Sequence, residues 1–318
     1  MTSALFLIIL GFVVLLKGAD WLVEGSSTIA RRLGISQLVI GLTVVAFGTS
    51  APELFVNIFA GIKGEADIAI GNILGSNIVN ILLILGIAAT IYPLALKRST
   101  IWKEIPLSGL AAIVLALLVN DNRTNGSFIG LTRVDGLVLI AFFFFFLYYT
   151  YHINKNDVSQ KSAVHINPHS WPYALLLTAI GLISLLIGGK LIVDNAVAIA
   201  LILKASQAVI GLTIVAIGTS LPELATSAVA AYKKNPDIAV GNIVGSNIFN
   251  IFWILGISAV INPLAFSQKL FPDIGVIIFT TLLLFLCMFI GKRHVLERWQ
   301  GITFVLLYII YIFSLLVR

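Results

Sequence analysis

Two acidic residues set the chemistry open to this chain. Glu53 and Glu223 each close a GTSxPE run, at 48–53 and 218–223, and each run lies inside a long apolar stretch. A carboxylate in apolar surroundings is costly unless it is paired. The neighbours on offer are oxygens: Thr49 and Ser50 beside one glutamate, Thr219 and Ser220 beside the other. A second pair of runs, GNIxGSNIxNI at 71–81 and 241–251, places Ser76 four residues before Asn80 and Ser246 four residues before Asn250. That spacing puts each serine and asparagine on one helical face. Asn72, Asn77, Asn242 and Asn247 are further amides, read as packing or gating groups ahead of ligands. Neither motif contains a histidine or a thiol. An all-oxygen, doubly anionic constellation suits a hard cation, and two bidentate glutamates with two backbone carbonyls would supply about six oxygens, within the range Ca2+ takes. Two negative charges balance one Ca2+.

The carbonyls come from broken helices. Pro52 and Pro222 lack an N–H and clash with the carbonyl four residues back, that of Gly48 or Gly218, so each helix should break beside its glutamate. The freed carbonyls, those of Thr49 and Thr219 or their neighbours, are tolerable inside a membrane only where they line a polar cavity or bind an ion.

Composition places these motifs in lipid. The chain has 318 residues, 59% of them hydrophobic and only 11% charged, with mean hydropathy +1.06. A soluble protein carries about 25% charged residues, and no core of this size hides so much apolar surface. The net charge of +6 does not point to nucleic acid, because the basic residues fall in short clusters between apolar spans. A single cysteine, Cys287, excludes an internal disulfide and a cysteine-rich metal site.

A membrane-spanning helix needs about 20 residues, and stretches of that length recur at roughly 4–30, 37–61, 67–91, 102–119, 132–151, 172–202, 207–231, 237–261, 271–291 and 300–317. The fold expected is therefore an all-α, polytopic membrane protein of ten transmembrane helices. Its first stretch has no basic n-region and no small-residue cleavage site, so it is not a signal peptide. Basic residues on alternate sides number twelve against six, and the positive-inside rule makes the richer side cytoplasmic. Both termini then lie outside, in the cell membrane, and the polar 153–170 segment is a cytoplasmic linker. Lys17 with Asp20, and Lys190 with Asp194, are spaced for local ion pairs along one helix.

The two halves repeat. GLTVVAFGTSAPEL at 41–54 matches GLTIVAIGTSLPEL at 211–224 in eleven of fourteen positions, and DIAIGNILGSNIVNI at 67–81 matches DIAVGNIVGSNIFNI at 237–251 in twelve of fifteen. One offset of 170 residues relates both pairs, and it also aligns Gly11 with Gly181 and Gly18 with Gly188. Each half holds five spans, an odd number, so the second copy enters the membrane from the opposite side. The organisation expected is two inverted five-helix repeats, 1–152 and 171–318, joined by 153–170, with the site where the copies meet near the midplane.

These paired motifs resemble those of the sodium/calcium exchanger family, within the wider calcium/cation antiporters, and the resemblance extends over the ten-span plan. It implies Na+ and Ca2+ competing for one cavity exposed alternately to each side, in a transporter rather than an enzyme. It implies carboxylate ligation by Glu53 and Glu223. It also implies oxygens from Ala46, Thr49, Ser50 and Ser76 in one half and from Ala216, Thr219, Ser220 and Ser246 in the other, with the first and sixth spans sliding as gates. Asn80 and Asn250 complete the candidate metal set, and some relatives carry an aspartate at the second of these positions. A load of three Na+ against one Ca2+, which the resemblance implies, makes exchange electrogenic.

Three alternatives compete with Na+/Ca2+ antiport: a Ca2+/H+ or K+-dependent exchanger on the same carboxylates, a passive cation channel, and an intramembrane hydrolase using Ser50 or Ser220. The last lacks a base placed in the manner of a triad. No cofactor, no nucleic acid and no obligatory protein partner are expected; the partners are the two ions and the lipid bilayer.

Overall fold

A computed structural model describes residues 2–120, 129–153, 170–202 and 216–317. The helices are α1 (Thr2–Leu33), α2 (Gln37–Thr49), α3 (Ala51–Lys63), α4 (Ala66–Ile91), α5 (Thr100–Val119) and α6 (Arg133–Ile153) in the first half. The second half supplies α7 (Trp171–Ile202), α8 (Ala216–Thr219), α9 (Leu221–Tyr232), α10 (Pro236–Ile261), α11 (Gln268–Cys287) and α12 (Arg298–Val317). Nearly all of the expected 153–170 linker and the start of the 207–231 span lie outside the described residues. Everywhere else the helices coincide with the expected spans, apart from the ninth, which stops at Cys287 instead of running on to 291.

Local chemistry explains where the chain bends. α2 and α3 form one span broken by 48° at Ser50, whose φ of −82° and ψ of 10° leave the helical region, with Pro52 in the first turn of α3. Ser220 repeats this, with φ −88° and ψ 7°, between α8 and α9. α3 is capped by left-handed Gly64, φ 75°, and its repeat mate Lys234, φ 56°, stands two residues beyond the end of α9; both positive-φ residues let the chain reverse into α4 and α10. Asn235 caps α10 by accepting a hydrogen bond from the Ile238 N–H at 3.3 Å.

α4 and α10 are the most buried helices and hold the centre, whereas α1 and α12 lie at the periphery. Each central helix widens into a π-helical turn at matching places, Val79–Ile84 and Phe249–Leu255. Such turns often mark functional sites. The outer surface exposes Phe6, Phe55, Leu117 and Phe313 by more than half, a girdle suited to lipid.

The inverted relation is visible in packing. α1 and its repeat mate α7 cross in opposite directions, and they can do so only because glycines face each other: a Cβ on Gly181 would lie 2.6 Å from the Leu22 nitrogen, and one on Gly18 2.9 Å from the Gly181 carbonyl oxygen. Two short antiparallel ribbons also cross between halves. Strand β1 (Leu94–Ala95) pairs with β4 (Val295–Leu296), and β2 (Gly130–Leu131) pairs with β3 (Leu264–Ala265). The flanking bonds match too, Leu96 N–H to the His294 carbonyl at 2.8 Å and Phe266 N–H to the Ile129 carbonyl at 2.9 Å.

Candidate cation site

The breaks at Ser50 and Ser220 deliver both glutamates to the molecular centre, where Glu53 and Glu223 are fully buried. The partners cross between halves. The Ser50 hydroxyl lies 2.8 Å from Glu223 Oε1, and the Ser220 hydroxyl lies 3.2 Å from Glu53 Oε1. Ser76 adds a contact of 3.3 Å to the same Glu53 oxygen, while Ser50 and Ser246 stand 2.9 Å apart and Ser220 and Ser76 3.2 Å apart. Each carboxylate thus spends one oxygen on hydroxyls. The other, Oε2 in both residues, is buried and accepts no hydrogen bond within the protein.

The asparagines complete this pattern. Asn80 and Asn250 are fully buried; the Asn80 NH2 donates to Asn247 Oδ1 at 2.9 Å and the Asn250 NH2 to Asn77 Oδ1 at 3.0 Å. Their own Oδ1 atoms accept nothing from the protein. Four buried oxygens, two carboxylate and two amide, are therefore left unpaired in two-fold-related pairs. Burying such atoms without compensation is costly, and a hard cation bound by oxygens is one species that would supply it.

The remaining residues of the set fall around this centre. Thr49 Oγ1 donates to Asn242 Oδ1 at 2.9 Å, and Thr219 Oγ1 lies 3.4 Å from Asn72 Oδ1. The Ala46 carbonyl oxygen accepts from the Ser50 N–H at 3.0 Å and faces Thr49 Oγ1 at 3.3 Å. Ala216 opens the described part of the second broken span, with its side chain outside the description. Neither Ser50 nor Ser220 has a histidine or lysine among its described partners; both hydroxyls serve the carboxylates.

Sequence reasoning passed over Asn57 and Ser227, which are repeat mates. Asn57 NH2 donates to the Glu53 carbonyl at 3.0 Å, and Ser227 Oγ accepts from the Asn242 NH2 at 3.0 Å. The signal was available: each stands four residues after its glutamate, one turn along the same face. Asn77 and Asn247, read from sequence as packing or gating amides ahead of ligands, hold the candidate ligand amides directly. The local ion pair expected for Lys190 and Asp194 is present at 3.0 Å, but Asp20 pairs with Lys233 of α9 instead of Lys17, because α1 packs against the end of α9.

Inverted repeats, broken central spans and an all-oxygen anionic centre define a secondary cation transporter. A family model described as sodium/calcium exchanger protein matches residues 3–152 and 173–317. The chain belongs to that family and is a multi-pass membrane antiporter rather than an enzyme. Among its relatives, sodium/calcium exchanger MaX1 of Methanosarcina acetivorans is 32% identical, with 98% of each chain covered. Inner membrane protein YrbG of Escherichia coli is 37% identical over 84% of each chain. The solved sodium-calcium exchanger NCX_Mj superposes with a TM-score of 0.84 at 37% identity, covering 98% of both chains.

Proposed function

We propose that this chain exchanges Na+ for Ca2+ by alternating access, with both ions bound in turn at the centre formed by Glu53 and Glu223. The observation that carries the reading is the symmetric set of unpaired buried oxygens, Glu53 Oε2, Glu223 Oε2, Asn80 Oδ1 and Asn250 Oδ1. Two carboxylates match the charge of Ca2+ and four oxygens cover about half of its shell; Thr49, Ser50, Ser76 and the Ala46 carbonyl, with Thr219, Ser220, Ser246 and the Ala216 carbonyl, stand ready to complete it. Membership of the exchanger family favours Na+ as the counter-ion over H+ or K+, and antiport over a passive channel.

The protein acts in the cell membrane with lipid as its surroundings and without an obligatory protein partner. Its units are the repeats 1–152 and 171–318, and the joining segment 153–170 faces the cytoplasm with both termini outside. That orientation follows from the clustering of basic residues such as Arg31, Arg32, Lys97, Arg98, Lys233 and Lys234 on one side. α1 and α7, paired through their facing glycines, move together across the remaining bundle to expose the site to each side in turn.

Flux in proteoliposomes tests the reading. An outward Na+ gradient should drive Ca2+ uptake against a Ca2+ gradient, and replacing Na+ with K+ or a proton gradient should not. Ca2+ movement that only ever follows its own gradient would establish a channel.

A further inference from the structure

We propose that Asn77 and Asn247 are positioning residues of the ion site: each holds the side-chain amide of a ligand asparagine from the other repeat so that its carbonyl oxygen, and not its NH2, faces the cation. The proposal rests on the ligand reading of Asn80 and Asn250 given above.

A primary amide carries an acceptor and a donor of nearly equal size, and a half-turn exchanges them. A cation accepts only the oxygen. Nothing within Asn80 or Asn250 makes that choice, so it must come from what the NH2 group meets. Asn80 Nδ2 donates to Asn247 Oδ1 at 2.9 Å, and Asn250 Nδ2 donates to Asn77 Oδ1 at 3.0 Å and reaches Ser76 Oγ at 3.2 Å. The holders are fixed in turn. Asn77 Nδ2 donates to the Asn247 backbone carbonyl at 3.4 Å, and Asn247 Nδ2 donates to the Asn77 backbone carbonyl at 3.4 Å.

The network admits one orientation. Turning Asn247 over would set its NH2 against the NH2 of Asn80 and its oxygen against the Asn77 carbonyl, replacing two attractive contacts with two repulsive ones. All four amides are at most 1% exposed, so water does not relieve such a mismatch. Every NH2 in the ring has an acceptor, and the oxygens left over are Asn80 Oδ1 and Asn250 Oδ1. The arrangement is the amide counterpart of the outer groups that orient metal-ligating side chains.

The crossed geometry gives a test that packing alone would not pass. Affinities for Ca2+ and Na+ are measured as half-saturating concentrations of flux in proteoliposomes, with melting transitions confirming that each variant folds. Asn247→Leu, which fills the same space without an acceptor, is expected to weaken cation affinity by about 10- to 100-fold. Combined with Asn80→Ala it should cost no more than about twofold further, whereas combined with Asn250→Ala it should cost its full amount. Asn77→Leu should show the mirror pattern, coupling to Asn250 and not to Asn80. In an Asn80→Asp background, where either carboxylate oxygen can face the ion, Asn247→Leu should lose most of its effect. If leucine prevents folding, Asn247→Ala runs through the same combinations. Full additivity with Asn80→Ala, or equal coupling to Asn80 and Asn250, overturns the positioning role while leaving the ligands in place. Unchanged affinity in folded Asn80→Ala removes the ligand reading, and this proposal with it.

Discussion

Lys233, at the end of α9, forms an ion pair with Asp20 of α1, and the residues that occupy these places in the other repeat are Lys63 and Lys190, both cationic. The same side gains further ties: Asn235 donates to Ser27 Oγ at 3.3 Å and to Gln37 Oε1 at 3.4 Å, and Gln37 donates to the Ser27 carbonyl at 3.0 Å. Their repeat mates are Glu65, Val197 and Gln207, the last outside the described residues. Lys190 turns instead to Asp194 on its own helix, and among the described residues no ion pair joins α7 to α3. Two repeats that bring matching acids to the centre are therefore tied unequally to α1 and α7.

If α1 and α7 move as proposed, breaking the Lys233 pair should loosen the opening on its side. Both side chains are about one-third exposed, so the pair is worth about 0.2–1 kcal/mol, a shift of about 1.4- to fivefold in the gating equilibrium. Spin labels at exposed Leu33 and Tyr232, in a Cys287→Ser background, report the opening as a distance. Lys233→Gln should add a longer population, and the exchange Asp20→Lys with Lys233→Asp should remove it. Identical distance distributions in all three proteins would show that the pair does not hold the gate.

Replacing either central acid should abolish exchange. Glu53→Gln or Glu223→Gln keeps the shape and the hydroxyl contacts but removes half of the charge that offsets Ca2+ dehydration. Na+-driven Ca2+ uptake should fall at least about 100-fold, or about 2.8 kcal/mol. Near-normal flux in a folded variant would sink the assignment.

Acid should compete with Ca2+. Protons and the metal seek the same carboxylate oxygens, so Ca2+ binding displaces any proton held there. Over the range in which the empty pair holds one proton, apparent Ca2+ affinity should drop about tenfold for each unit of acidification and level off on the alkaline side. Calorimetric titration at several pH values, in buffers of different ionisation enthalpy, reads both the affinity and the proton release. Affinity that stays flat into the acidic range contradicts a site built on these two groups.

Exchange should respond to voltage. Three Na+ against one Ca2+, the load implied by family resemblance, moves one net charge, so 100 mV biases the cycle by about 2.3 kcal/mol. With a fixed outward Na+ gradient, Ca2+ uptake into vesicles should quicken as the interior is made positive, because more positive charge leaves than enters. A series of valinomycin-clamped potentials measures this. Uptake indifferent to potential would mean two Na+ per Ca2+.

Much of this protein is written in its residues alone. Apolar stretches of membrane length locate the helices because lipid leaves backbone groups no partner but each other. Duplication of GTSxPE and GNIxGSNIxNI at one offset marks Glu53, Glu223, Ser76, Ser246, Asn80 and Asn250, because buried polar groups in lipid persist only where something uses them. Which group each would meet was not legible. Ser50 stands three residues from Glu53 in sequence yet bonds Glu223, and Asn80 is held by Asn247 rather than by its neighbour Asn77. Asp20 reaches past Lys17 to Lys233. Periodicity records which face of a helix is polar, but the partner is chosen by how antiparallel repeats dock. Docking depends on close approaches such as Gly18 to Gly181, and hydrogen bonds that form or fail within a few tenths of an ångström are settled only when both repeats are in place.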